Sequence, residues 1–320
     1  MRPEKILFRA ATGAPLQPAV LCVPGRNGGG NIPSSTPSKI SSNSSPRPAQ
    51  HLYVANGLTQ QVLQYALPLT SASTPSTMFT TSGYPLSVAI DSSGNLAVGD
   101  TAGNLYLFRA PLSSASTASA TLRNGSTSTA GQLLFTSAGD LFAASVSSAH
   151  INVFSLAGGK LSQQITAPAL VWTEGIALDA RNNLIVANIY LFTNKSNLVV
   201  FAPPLSRAES PILTTPVQAE ATYTNLALSP TQLFVVNVGS SGSGSIDVYP
   251  LPLTASSTPA FSIITGSRPG AVALDSSGNL YVGTKGGGGI QVFTPPFSAA
   301  STPSVTLPMN ADIISLAIGK

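Results

Sequence analysis

The chain predicts an all-β fold: a six-bladed β-propeller of four-stranded antiparallel blades, its ring closed by pairing the C-terminal strand with the N-terminal blade. Three observations carry this. A phrase of short apolar runs recurs six times with a spacing of 43–49 residues, and a period in that range with three or four strands per copy marks a propeller blade. Four copies join their first runs by a short turn rich in Asp, Gly and Asn, the signal of an antiparallel hairpin. The two ends of the chain are out of phase in complementary ways, so that together they make one blade.

The clearest copy runs from Pro269 to Phe293: an apolar run, Asp275-Ser-Ser-Gly-Asn279, a second apolar run, a Gly-rich turn, then Ile290-Gln-Val-Phe293. We name the strands of each blade a (innermost) to d. Strand b starts at Leu52, Leu96, Leu141, Leu184, Leu233 and Leu280, and strand c always carries an aromatic, Tyr65, Phe108, Phe154, Phe201, Tyr249 or Phe293. Sheets converge near a propeller axis, so strand a should carry small residues there. Ala89, Ala177, Ala227, Ala273 and Ala317 fit, with Leu134 the exception. The first copy begins at strand b, and Ile314-Ser-Leu-Ala-Ile-Gly319 is a strand a with nothing after it. Pairing these two removes sheet edges that would otherwise invite aggregation.

Two recurrent turns read as structural. The a–b linkers, Asp91-Ser-Ser-Gly-Asn95, Asp179-Ala-Arg-Asn-Asn183 and Asp275-Ser-Ser-Gly-Asn279, place Asp where it bonds the backbone two residues on. The c–d phrase, as in Pro252-Leu-Thr-Ala-Ser-Ser-Thr-Pro259, ends strand c with a proline that cannot donate to a ladder and uses Ser and Thr to satisfy backbone groups in a compact loop.

Ahead of the propeller (residues 51–320) lie two segments. Residues 25–50 are Gly, Ser, Pro and Asn with little to bury, a flexible linker by composition. Residues 1–24 resemble a degraded signal sequence, Arg2 and Lys5 preceding apolar residues up to Val23, but Arg9, Gln17 and two prolines break the apolar stretch. An extracytoplasmic location is what such a leader would imply. Residues 1–50 hold six basic residues against Glu4, whereas the propeller holds nine basic and ten acidic residues and is close to neutral. The basicity therefore belongs to the tail, and the body lacks the electrostatic footprint of a nucleic-acid binder. No apolar run reaches the length of a transmembrane helix. One cysteine, Cys22, allows no intrachain disulfide.

An innermost run ending in Asp, a Gly/Asn turn, Leu280-Tyr-Val-Gly-Thr284 and Ile290-Gln-Val-Phe293 together resemble the NHL-repeat propellers and the related YVTN-type bacterial propellers. The resemblance covers residues 51–320. It implies six blades and a ligand surface at one mouth of the channel, and it supplies no catalytic residues, because propellers host binders and enzymes alike.

Positions shared by the copies carry the fold, so departures from the repeat are the candidates for function. Loops d–a and b–c should converge on one face around the channel, where binding residues on a rigid scaffold usually lie. The d–a loops differ most and contribute Trp172, Glu174, Tyr223, Asn225, Arg268 and Asp312 as candidate ligand-binding residues. Trp172 beside Glu174 suits stacking on a sugar or peptide, or a plug in the channel mouth. The ends of strand b place Asn56, Asp100, Asn188 and Asn237 on the same face, and their recurrence points to turn-forming roles.

Three functional readings follow. The first is a non-catalytic propeller without a cofactor, binding a small molecule, protein or carbohydrate at this face. The second is a hydrolase like the gluconolactonase/regucalcin-type lactonases, six-bladed propellers whose mouth holds one metal on Glu, Asn and Asp. The resemblance would make Glu174, Asn225 and Asp312 ligands to Ca²⁺ or another divalent cation, which takes six to eight oxygens. The third is a purely structural surface repeat protein. His51 and His150 start strands b and c and so lie near opposite rims, which disfavours a Ser/His/Asp triad or a His-rich zinc site. Ala157-Gly-Gly-Lys160 lacks the features of a phosphate-binding loop.

Overall fold

A computed structural model describes residues 49–124, 129–146, 148–190, 192–207, 210–239 and 244–320. The leader, almost all of the linker and residues 125–128 of one d–a loop lie outside these. The described residues form six antiparallel sheets, each ordered a-b-c-d. Blade 1 joins Ile313–Gly319 to His51–Asn56, Gln61–Ala66 and Thr77–Thr80; blade 2 is Pro85–Ile90, Leu96–Asp100, Asn104–Phe108 and Ala120–Arg123. Blade 3 is Ala130–Phe135, Asp140–Ser145, His150–Ser155 and Lys160–Thr166; blade 4 is Thr173–Leu178, Leu184–Tyr190, Lys195–Phe201 and Leu213–Thr214. Blade 5 is Tyr223–Leu228, Gln232–Asn237, Ser245–Pro250 and Phe261–Ile264; blade 6 is Pro269–Leu274, Leu280–Thr284, Ile290–Phe293 and Val305–Leu307.

The ring closes as expected. The last strand pairs antiparallel with the first, from His51 opposite Gly319 to Asn56 opposite Ile313. Blade 4 adds something unforeseen, a short fifth strand, Gln218–Ala219, that also pairs with strand c.

Each sheet buries both faces against its neighbours. The aromatics of strand c are all buried, from Tyr65 to Phe293, and each such side chain stabilises the fold by roughly 1.5–3 kcal/mol relative to exposure. Three a–b turns share one geometry: Oδ1 of Asp91, Asp179 or Asp275 accepts two backbone N–H groups, and Oδ2 accepts the side-chain amide of the Asn four residues on. These carboxylates form turns, as their recurrence indicates.

The c–d phrase does two jobs. Its serine hydroxyl accepts the backbone N–H three residues earlier in four copies, at Ser73, Ser116, Ser257 and Ser301. The apolar residue after the proline fills the groove shared with the preceding blade. Phe297 of blade 6 meets Phe234 of blade 5 edge-on at 5.1 Å between ring centroids. Leu69, Leu112, Leu205 and Leu253 take the corresponding places in four other gaps.

Candidate site at the channel mouth

All six innermost strands break register near the same end. A bulge inserts a residue with no partner and re-aims its side chain, which is why bulges gather beside binding sites. The extra residues are Ile314, Leu86, Glu174, Thr224 and Gly270 in blades 1, 2, 4, 5 and 6. In blade 3 the interruption spans Gly131 and Gln132.

The inner edge of the ring exposes backbone groups that no strand covers, and side chains from neighbouring blades satisfy several of them. Ser315 Oγ accepts Val88 N–H, and Asn225 Oδ1 accepts Val272 N–H. Gln132 reaches furthest: its Oε1 accepts Ile176 N–H and Leu226 N–H, each at 3.0 Å, and its Nε2 donates to Leu226 carbonyl at 2.8 Å. One side chain thus ties the innermost strand of blade 3 to those of blades 4 and 5.

The charged part of the mouth is built around the seam between blades 6 and 1. Lys285, just past strand b of blade 6, donates its backbone N–H to the Arg268 carbonyl. Asp312, just before the closing strand, accepts Gly286 N–H on Oδ1 at 2.6 Å, and its carbonyl accepts Gly57 N–H at 2.7 Å. A Cβ at Gly270 would stand 3.0 Å from Lys285 Cε. The bare glycine therefore gives the lysine stem room to lie along the bulged strand. Burial depresses the Lys285 ammonium below the usual lysine range; Glu174 and Asp312 oppose this and Arg268 reinforces it. Burial likewise pushes the Glu174 carboxyl up from 4.5 to about 7, against the pull of Lys285 and Arg268. Glu174 as a whole is half-buried, and the withdrawal of its carboxyl from water is the largest cause of the shift.

Of the residues expected from sequence, the structure brings Glu174, Arg268 and Asp312 into one electrostatic group, with Lys285 common to all three. Three others stand differently. Tyr223 is fully buried, its hydroxyl bonded to Asp247 Oδ2 at 3.0 Å and Tyr249 Oη at 2.8 Å, so it belongs to the blade interior rather than to a ligand-contacting rim. Asn225, one residue past its bulge, caps Val272 as described. Trp172 is half-buried with its indole N–H enclosed and unpartnered, not wet at one end. Asn56, Asp100, Asn188 and Asn237 all accept loop backbone N–H groups, as turn formers do.

Lys285 and Gln132 were not singled out in the sequence. Lys285 carried a usable signal, because the equivalent position of the repeat, one past Asn56, Asp100, Ser145, Asn188 and Asn237, holds Gly57, Thr101, Val146, Ile189 and Val238 in the other copies.

The residues expected to hold a divalent cation, Glu174, Asn225 and Asp312, are engaged with protein groups in this arrangement. Asn225 Oδ1 and Asp312 Oδ1 each accept a backbone N–H, and the Lys285 ammonium acts on both carboxylates. The three residues also hold different register positions: on the bulge, after it, and before the strand. Among the described residues, no group of three or more His, Cys, Asp and Glu side chains is placed to hold a metal ion.

Neither a family model nor a curated protein matches the chain. Solved structures do. A chain of a nidogen/laminin complex superposes with a TM-score of 0.61 at 15% identity, covering 85% of this chain and 98% of that one. A protein of unknown function from Bacteroides caccae gives 0.58 at 10% identity, covering 85% and 99%. The WD40 β-propeller domain of Doa1 gives 0.55 at 14%, covering 82% and 80%. At such identities the likeness establishes the propeller fold alone.

Proposed function

We propose that this chain is a non-catalytic propeller that binds a ligand or protein partner at the channel mouth lined by its d–a and b–c loops. The observation that carries the reading is the grouping of Glu174, Arg268, Lys285 and Asp312 at one rim, in a chain only 8% charged. Charges of both signs, partly withdrawn from water, suit a ligand that itself carries both, such as an amino-acid or peptide terminus, or a polar protein loop. One similar solved chain comes from a complex of nidogen with laminin, so a protein partner is within the fold's repertoire.

The test is thermal melting of the wild type, Glu174→Gln and Lys285→Met against sugars, lactones and dipeptides, with and without Ca²⁺. The reading expects a dipeptide-type ligand to raise the wild-type transition, both variants to lose the shift, and no ligand to be turned over. A shift that survives both substitutions would place binding elsewhere. Hydrolysis of a lactone that disappears in Glu174→Gln would overturn the non-catalytic assignment.

A further inference from the structure

A cavity of about 630 Å³ lies on the opposite face, between blades 4 and 5 under their a–b and c–d turns. It stands independently of the channel mouth. That volume lies within the range of small-molecule pockets. Its origin is a set of departures from the repeat that all fall in this one gap.

The first departure concerns size. At the second position of strand b, four other blades carry Tyr53, Phe142, Phe234 or Tyr281, each packed in the cluster that holds the next blade's plug. Blade 4 has Ile185. Blade 2 has Ala97, but there Phe135 on the facing strand makes up the volume, where the gap between blades 4 and 5 has Leu228. Neither position supplies an aromatic in this gap.

The second departure concerns the rim. Ile212 donates its N–H to the strand-c carbonyl of Val200 as Ser76, Ser119 and Ser304 do at the equivalent place in other blades. In those three the serine hydroxyl also bonds that carbonyl. Here an isoleucine, 61% exposed, borders the cavity instead.

The third departure concerns charge. Arg181 stands where the matching turns have Ser93 and Ser277. Only Arg181 and Asp179 are charged among the lining residues. The Asp179 carboxylate already accepts three hydrogen bonds within its own turn, so the guanidinium remains the group able to meet an anion.

We propose that this cavity binds a small amphiphilic carboxylate, its hydrocarbon body against Ile185, Leu228 and Leu253 and its carboxylate at Arg181. Apolar walls with one fixed polar contact are how such sites combine affinity with orientation.

Calorimetric titration of the full chain with octanoate and with 1-octanol tests this. Octanoate should bind the wild type; Arg181→Gln should weaken octanoate about tenfold and leave 1-octanol unchanged. Ile185→Phe, which restores the repeat's aromatic, should abolish both without lowering the melting temperature. Ile212→Ser, an exposed change to the repeat's own residue, should weaken both several-fold whether or not Ile185→Phe folds. No octanoate binding to the wild type, or equal binding to Ile185→Phe and Ile212→Ser, would overturn the proposal. So would self-association of the wild type that Ile185→Phe removes, because the cavity would then receive a second copy.

Discussion

Gln132 carries more of the inner ring than any other single side chain described here, because one carboxamide serves three backbone groups on two neighbouring blades. A buried group that loses its partner retains its full desolvation cost. Gln132→Ala should therefore lower stability by about 1–3 kcal/mol, read as a lower urea midpoint at unchanged slope. Glu174 gives the second residue-scale prediction. Its carboxyl ionises with more difficulty folded, at about 7, than unfolded, near 4.5. The folded state thus holds a proton that the unfolded chain has lost across that interval. The stability this confers is complete below about pH 4.5 and disappears as pH rises towards 7, by at most about 3 kcal/mol. Glu174→Gln should flatten that part of the pH profile relative to wild type in melts from pH 4.5 to 8. Glu174, Arg268 and Asp312 were legible as departures from the repeat. The bonds made by Asn225 and Tyr223 were not legible, because their partners Val272, Asp247 and Tyr249 lie on other strands and nothing in the local sequence announces the bulge between the two residues.

At the scale of elements, the c–d phrase shows how a loop contributes to packing. Its proline ends strand c, its serine satisfies the loop backbone, and the residue between them plugs the groove of the preceding blade. The prediction here is for Phe297→Ala, which removes one partner of the Phe234 contact. It should cost about 2 kcal/mol, below the loss for a fully buried Phe because Phe297 is only partly covered. Chemical denaturation measures it, and a change below a few tenths of a kcal/mol would deny the plug any role in packing. The strands and Asp turns were legible because alternation and turn chemistry are local. The plug was not, since its partner lies on another blade, far away in sequence. The short fifth strand of blade 4 was hidden for a similar reason: Gln218–Ala219 reads as part of a d–a loop, and only its pairing with Lys195 and Ser196 makes it a strand.

For the whole molecule, the closing strand links stability to function. Ile313–Gly319 completes blade 1 by pairing with His51–Asn56, and Asp312 at its start joins the charged mouth to the seam through Gly286 and Gly57. The complementary phases of the two chain ends made this closure legible; the charge grouping it creates was only partly so, since Lys285 enters from a Gly-rich hairpin. The most direct test is deletion of residues 312–320. Loss of the strand would expose an edge of blade 1 and open the ring. The predicted result is aggregation, or a melting temperature at least about 10 °C lower. A truncated chain that stays monomeric and melts with the wild type would contradict the closed ring and everything built on it.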